Sequence, residues 1–569
     1  MQTKSLGSYI ISRLNELKES LKNDITSVKV DTEKKYVIYI SIGNKNIRAN
    51  ILSEINNSFE NLYKNIQQKI MNYVRKHHVN PEWIKVDIVQ SVKKVSFNEL
   101  EKKISSTRRN YFRYGISFDN TFNISFLEQE INGNALIRQI QGKRPALNNT
   151  NINHYLKKKN KNHILFMKEN YRNREVYMFK TKGYIITHEE GIIELYEGAL
   201  SNGVRKIENI RDEVLKLICK STYYLQNQIK ENGKFEYGYF SAFAKSINTY
   251  NILRHASSIY AMLEGYEIIQ DTEILEKAKR SIDYLMNTAI VYKNKQTEEI
   301  AFVVDYANEA EIKLGSNATT LLAMSKYMEL TGDNTYLKTA QALARGIIAM
   351  KLPDSGFIHV LAYPDFNIKA LNRIIYYEGE AIFSLLRLYA IDKKSKWLDE
   401  VKDSFEYFIK NEYWKHHDHW LSYAANELVI YEPKDKYFIF AMKNCNDYLD
   451  FIYHRETTFP TLLELTMAVY KLIKRIKSMD KEHLLKYIDK DYLLETIDRR
   501  AEFQRVGFFY PEQAMYMKNP DLILHGFFIR HHSFRVRIDD VEHYLSGYCQ
   551  YYHYRLPDLV VDIPCILDD

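Results

Sequence analysis

From about Ile207 onward, nearly every segment of the chain has apolar residues spaced three and four apart, which is the pattern of an amphipathic α-helix. This feature constrains the fold more than any other, because it excludes a sheet-based architecture for about two-thirds of the chain. Helices are predicted over the ranges 207–230, 248–266, 273–289, 316–331, 334–350, 379–392, 395–410, 419–430, 434–453, 459–477, 482–503 and 539–554.

Several of these helices come in pairs that repeat one phrase. The segment ATTLLAMSKYMELTGDNTYLKTAQALARGIIAM aligns with EAIFSLLRLYAIDKKSKWLDEVKDSFEYFI. Each has a helix of small and apolar residues, a short polar turn and a more charged helix. Such a hairpin can bury its apolar face only against its neighbours, and about six hairpins can close into a ring. An α/α toroid is therefore predicted for residues 201–569.

The first 200 residues alternate between element types instead. KYVIYISIG and NIRANIL read as two strands around the Gly43-Asn44-Lys45 turn, a helix is predicted from Ser53 to Lys76, and WIKVDIVQSV reads as a further strand. Short β segments return in REVYMFKTKGYIIT and GIIELYEG. The pattern predicts an N-terminal α+β domain over residues 1–200, with a small sheet and hairpins.

Composition limits the partners and the compartment. The 80 Lys and Arg residues against 72 Asp and Glu give a net charge of +8, but they are scattered, so no nucleic-acid partner is predicted. Cys219, Cys445, Cys549 and Cys565 form no CxxC pair, which argues against a disulfide framework or a thiolate zinc site and favours the reducing cytoplasm. No run approaches the roughly 18 apolar residues of a membrane span. The oligomeric state stays open.

Two hairpin phrases carry a resemblance to a known superfamily. LGSNATTLLAMSKYMELTGDNTYLKTAQALARGI and YYEGEAIFSLLRLYAIDKKSKWLDEV resemble the α/α-toroid carbohydrate-active proteins, which include uronyl epimerases, N-acylglucosamine epimerases and unsaturated glucuronyl hydrolases. The resemblance covers roughly residues 205–555. It implies an α/α toroid that acts on carbohydrate, and the likeness to uronyl epimerases implies tyrosine and carboxylate groups that transfer protons.

Closure of the ring predicts where the chemistry lies. The inner helices of a toroid point one way, so the segments that precede them gather at one rim. The segments at those positions are polar and aromatic, unlike ordinary surface loops. The predicted catalytic residues are Tyr376, Tyr377, Glu378, His419, Asp539 and Asp540. The predicted substrate-binding residues are Arg254, His255, Lys313, Asn317, Arg373, Glu380, Trp420, Arg455, Arg535, Arg537 and His543.

The residue types suggest roles. Several arginines at one rim would attract a carboxylate or phosphate. Paired carboxylates suit general acid and base work, and a tyrosine whose pKa is lowered by an arginine could move a proton. Two structural alternatives stay open: Arg537 could pair with a buried carboxylate, and Asp539 or Asp540 could cap a helix. Adjacent residues in the stretch 416–419 are poorly spaced for metal ligation, so no metal is predicted.

These observations predict an enzyme that acts on an anionic sugar or a uronate-containing glycan by epimerisation, through proton abstraction α to a carboxylate. No cofactor is expected, because no GxGxxG, Walker, HExxH or GxSxG motif is present. An acidic-glycan hydrolase or lyase is an alternative. A non-catalytic scaffold that binds peptide or glycan, and a peptide-modifying enzyme, are two further alternatives.

Overall fold

The computed structural model describes residues 2–77, 80–140, 142–159, 161, 163–294 and 299–559, so Cys565 lies outside the described residues. The first part of the chain contains five helices and ten strands. These are α1 (Gln2–Asp24), β1 (Val28–Val30), β2 (Glu33–Asn44), β3 (Ile47–Asn56), α2 (Phe59–His77), β4 (Trp83–Ser96), α3 (Phe97–Ser106), β5 (Gly115–Ser117), β6 (Ser125–Phe126), α4 (Glu128–Gly133), β7 (Ile137–Arg138), β8 (Ala146–Leu147), α5 (Asn149–Lys158), β9 (Glu175–Thr187) and β10 (Gly191–Glu194).

Eight of these strands form one antiparallel sheet in the order β1-β2-β4-β9-β5-β6, with β3 added to β2 and β10 to β9. Helices α1 and α2 pack their apolar residues, including Leu17, Leu62 and Ile66, against one face of the sheet, where Ile38 and Ile40 are buried. The other face packs against a loop of the helical part, where the hydroxyls of Ser41 and Tyr516 are 2.8 Å apart. The N-terminal sheet is therefore anchored directly to the helical part.

The described residues of the second part contain fourteen α-helices. These are α6 (Ile210–Gln228), α7 (Ile252–Ile269), α8 (Thr272–Thr288), α9 (Leu314–Thr331), α10 (Leu337–Ala349), α11 (Tyr377–Asp392), α12 (Ser395–Lys410), α13 (His419–Tyr431), α14 (Asp435–Asn446), α15 (Leu449–Tyr453), α16 (Thr461–Ser478), α17 (Lys490–Gln504), α18 (Pro511–Ala514) and α19 (Ile538–Gln550).

Six of these helices form a closed inner ring. Each of α7, α9, α11, α13, α16 and α19 packs against the next, and α19 returns to α7. The outer helices α6, α8, α10, α12, α14 and α17 complete six hairpins. Inner helices are buried almost all round, as in α9, whereas outer helices such as α12 keep one polar face toward water. The α/α toroid predicted from the repeated hairpins is confirmed by this ring.

Glycine permits close approach inside the ring. A Cβ atom at Gly315, in the first turn of α9, would collide with the carboxylate of Glu380 and the ring of Tyr377 on α11. The small residue therefore lets α9 and α11 pack closely and places Glu380 at the axis of the ring.

Short strands precede several inner helices and shape the rim, a feature that the sequence pattern did not predict. They are β11 (Gly238–Phe240), β12 (Lys245–Ser246), β13 (Ile290–Asn294), β14 (Glu299–Asp305), β15 (Glu311–Lys313), β16 (Val360–Ala362), β17 (Ile368–Ala370) and β18 (Arg535–Arg537). Strands β13 to β17 form one sheet, and β12, β11 and β18 form another. Among the described residues, no helix has the length and apolarity that a bilayer crossing requires.

Candidate active site at the mouth of the toroid

Three side chains from different inner helices meet where the helices begin. His419 opens α13, Glu464 lies in the first turn of α16, and His543 lies in the second turn of α19. Nδ1 of His543 is 2.9 Å from Oε2 of Glu464, and Nε2 of His419 is 3.9 Å from the same oxygen. The two imidazole rings are nearly perpendicular, with centroids 5.5 Å apart. We call these three residues the mouth triad.

The two histidines have opposite protonation preferences. Burial opposes charge on His543, but the carboxylates of Glu542 and Glu464 outweigh it and raise the pKa of His543 to about 10. Burial and the nearby His543 cation hold the pKa of His419 well below its ordinary value. At neutral pH, His543 is therefore an imidazolium that can donate a proton, and His419 is a neutral base.

Buried carboxyl groups surround the mouth triad. Burial and neighbouring carboxylates raise the pKa values of Glu380 and Asp418 well above their ordinary range, and burial raises that of Glu542 to about 8. The hydroxyl of Ser257 donates to Glu542 at 3.1 Å. One oxygen of each carboxyl group and Nε2 of His419 are buried without a hydrogen-bond partner in the described part of the chain. Since buried polar groups are normally paired, this centre retains hydrogen-bonding capacity for a ligand.

The rim arginines are neutralised by carboxylates. Arg254 and Arg537 lie 3.0 and 2.8 Å from Asp539, and Arg535 lies 2.8 Å from Asp540. Burial opposes ionisation of Asp540, but Arg537 and Arg535 outweigh it and lower its pKa. Asp540 also accepts a hydrogen bond from the backbone N–H of Arg537 at the start of α19. The expectation of an electropositive rim is therefore corrected. Arg254, Arg535 and Arg537 form an ion-pair network with Asp539 and Asp540, and the two aspartates hold the arginine side chains in place.

A second ion-pair group lies at the start of α9. Nζ of Lys313 is 2.7 Å from Asp305, and Arg373 lies 2.8 Å from Glu311. The charges of Lys313 and Arg373 are thus balanced by carboxylates, like those of the rim arginines. Glu378 is likewise occupied, because Nε2 of His359 lies 2.9 Å from its carboxylate.

The predicted tyrosines differ from the expectation in their acidity. Burial and the neighbouring Asp418 raise the pKa of Tyr376 to about 12, and burial and Glu380 raise that of Tyr377 further. The expectation that one of these tyrosines has a lowered pKa is therefore wrong. The ring of Tyr376 packs edge-on against His419, with centroids 5.4 Å apart, so it covers that imidazole. The ring of Trp420 is buried beside His419.

Three predicted substrate-binding residues do not reach the mouth triad. His255 faces away from the axis, and its ring nitrogens contact the Tyr250 hydroxyl and the Ser281 carbonyl. Asn317 accepts a hydrogen bond from the backbone of Val303 and donates one to that of Lys313. The guanidinium of Arg455 lies over two phenylalanine rings at 5.0 and 5.4 Å. All three are engaged in local structure.

Sequence reasoning missed the two acidic residues that set the charge of His543. Glu464 sits inside the apolar phrase TLLELTMAV, and Glu542 directly precedes His543. A carboxylate on an otherwise buried helix face was the available signal, because Glu is almost never buried without a partner.

The donor atoms of the mouth triad lie within 4.8 Å of one another, which is close enough to hold a metal ion. His416 and His417, the neighbours of His419 in sequence, lie outside it. The ring of His417 stacks on Tyr448 instead, with centroids 4.1 Å apart. Nδ1 of His543 lies 2.9 Å from Glu464, so this nitrogen is engaged by the carboxylate.

Comparison with known proteins gives no matching family and no matching curated relative. Solved structures do match. A cellobiose 2-epimerase from Bacillus thermoamylovorans is 9% identical, with a TM-score of 0.45, and the match covers 60% of this chain and 99% of that one. A D-mannose isomerase is 12% identical, with a TM-score of 0.43, and the match covers 59% and 96%.

An α-1,6-mannanase from a Salegentibacter species is 14% identical, with a TM-score of 0.41, and the match covers 60% of this chain and 98% of that one. These proteins belong to the class of toroid carbohydrate enzymes that the hairpin phrases resemble. The closed ring of six inner helices, and not these matches, is the observation that confirms the α/α toroid.

Proposed function

We propose that this protein is a sugar epimerase or isomerase that moves a proton at the carbon next to a carbonyl group, without a cofactor. The observation that carries the proposal is the pair of imidazoles on facing inner helices, 5.5 Å apart at the mouth of a toroid, of which one is bonded to Glu464. Their surroundings lower the pKa of His419 and raise that of His543. Environments that push two pKa values apart are the usual sign of a general base beside a general acid.

In this proposal each member of the mouth triad has its own role. The imidazole of His419 takes the proton from the carbon, and the imidazolium of His543 donates a proton to the carbonyl oxygen, which gives a neutral enediol. In the return step the His419 imidazolium gives its proton back to carbon while neutral His543 takes a proton from an enediol hydroxyl, so both histidines regain their starting states. Return to the neighbouring carbon gives the isomer, and return to the original carbon after the enediol has turned its other face to His419 gives the epimer. Glu464 is a positioning residue, because its bond to Nδ1 leaves the other nitrogen of His543 for substrate.

The rim favours a sugar over a strongly charged polymer. Arg254, Arg535 and Arg537 already have carboxylate partners, so a uronate carboxyl group would have to displace one of them. The buried carboxyl group of Glu380, whose raised pKa favours its neutral form, can instead bind sugar hydroxyls as a donor and an acceptor. An open-chain aldose or ketose, or the reducing end of an oligosaccharide, fits these groups.

The test is incubation of the protein with a panel of aldoses, ketoses, disaccharides and uronates in deuterated water, followed by NMR. Deuterium at the carbon next to the carbonyl, with formation of an epimer or isomer, is expected for at least one sugar. His419→Asn and His543→Gln should each reduce that rate by at least roughly a hundredfold. New reducing ends without deuterium incorporation would identify a hydrolase instead, and no reaction with any sugar would overturn the proposal.

A further inference from the structure

The end of the ring opposite the mouth triad holds a cavity of about 450 Å³. It lies near the ends of the inner helices, whereas the mouth triad lies at their beginnings. Its floor is aromatic, formed by Tyr260, Phe383 and Tyr423, and its walls carry charged side chains from α7, α9, α11, α13 and α16. We call it the far-end cavity.

Most of its charges are paired within the described residues. Lys326 lies 2.6 Å from Glu267, and Arg387 lies 2.9 Å from Glu427 and also contacts Glu329. These pairs account for two of the cations and for three of the carboxylates.

Glu264, a further carboxylate of the far-end cavity, is largely satisfied without a cation. It accepts hydrogen bonds from the Ser546 hydroxyl at 2.5 Å and from the Gln550 amide at 3.2 Å. Burial raises the pKa of Glu264 to about 7, so part of the population is neutral at physiological pH. Glu264 and Glu427 attract Lys471 from beyond ion-pair distance, so Glu264 balances the remaining positive charge only in part.

Lys471 and Arg475 are the cations that remain. They lie one turn apart on α16, and neither has a carboxylate within ion-pair distance among the described residues. Arg475 donates from Nε to the Asn426 side chain, and Nζ of Lys471 lies 4.5 Å from the centre of the Tyr554 ring. Burial and the neighbouring Arg475 lower the pKa of Lys471 to about 8, which is the strain that a bound anion would relieve.

We infer that the far-end cavity is a binding site for a small hydroxylated anion, such as a sugar phosphate or a sugar acid, held by Lys471 and Arg475. The aromatic floor offers a surface for a sugar ring, and the walls offer polar groups for its hydroxyls. Tyr423 lines this cavity and its hydroxyl also donates to Glu464 of the mouth triad, whereas Lys471 and Arg475 lie two and three turns further along α16. The inference does not depend on the proposed function, because it is defined by binding alone.

The experiment is calorimetric titration of the full chain with glucose 6-phosphate, glucuronate and glucose. Both anions should bind more tightly than neutral glucose. Lys471→Met keeps the apolar stem and removes the amine, and it should weaken anion binding by roughly tenfold or more. Lys477→Met, which removes an exposed positive charge from the same helix, should leave it unchanged, and thermal unfolding checks that each variant is folded.

The variant His543→Gln separates this site from the mouth triad. Anion binding that survives His543→Gln and is lost in Lys471→Met supports the inference, and binding of only one of the two anions would identify the favoured group. Equal anion binding by the wild type and Lys471→Met, loss of binding in His543→Gln alone, or no preference for either anion over glucose would overturn it.

Discussion

Replacement of Glu464 by Gln tests the charge state of His543 directly. The side chains meet at 2.9 Å in a buried setting, and the carboxamide keeps the shape and can still accept the hydrogen bond. Only the negative charge is lost. The pKa of His543 should therefore fall while the mouth triad stays assembled.

The size of the effect follows from the environment of His543. A pKa of about 10 instead of 6.5 corresponds to about 5 kcal/mol in favour of the imidazolium, supplied by Glu542 and Glu464. An opposite charge at this distance shifts a pKa by roughly 1 to 3, so His543 in Glu464→Gln should titrate between about 7 and 9.

The assay is a pH titration of histidine labelled with carbon-13 at Cε1, with His543→Gln to assign the signal. Stability gives a second measure. Because the folded pKa of His543 is raised, its contribution to the free energy of unfolding is full below pH 6.5 and is lost as the pH rises toward 10. In Glu464→Gln this loss should be complete at lower pH.

Glu456→Gln, at an exposed position five residues before the start of α16, is the matched control and should change neither measurement. The reasoning is refuted if His543 of the wild type titrates near 6.5. It is also refuted if Glu464→Gln leaves the pKa of His543 where it was.

Three further predictions concern the groups around the mouth triad. Glu380→Gln should be more stable than the wild type at pH 8 and nearly as stable at pH 4.5. The raised pKa of Glu380 makes the wild type lose up to about 1.4 kcal/mol of unfolding free energy for each pH unit above the pKa of the unfolded state, and equal urea unfolding curves at both pH values would contradict this. Tyr376→Phe and Tyr377→Phe should each keep the steady-state turnover of a reacting sugar within about tenfold of the wild type, because both hydroxyls stay protonated. A thousandfold loss of turnover would restore the hypothesis of a tyrosine base. Arg537→Met should lower the free energy of unfolding, measured with urea, by about 3 kcal/mol, because it removes one cation from two buried aspartates. A change below about 0.5 kcal/mol would show that the ion-pair network adds little stability.

The ring could be predicted from the sequence because its signal is local and repeated. Each hairpin carries its own apolar periodicity, and closure follows from having about six of them. The rim strands could not be predicted in the same way, since β15 and β18 are three residues long and pair with segments far away in the chain.

The sequence could predict where the candidate site lies, but not how its charged groups are paired. His419 and His543 were identified because both lie near the start of an inner helix, and their helices do face each other. His255 was misplaced because it follows Arg254 by one residue, which turns it about 100° around the helix and directs it toward Ser281 of α8. Glu464 was missed because charge partners across the ring depend on tertiary structure.

A crystal structure with a reducing sugar bound tests the central claim most directly. We expect the sugar at the mouth of the toroid, with the carbon next to its carbonyl within about 3.5 Å of a ring nitrogen of His419 and its carbonyl oxygen hydrogen-bonded to His543. A sugar bound with its carbonyl remote from both imidazoles would contradict it.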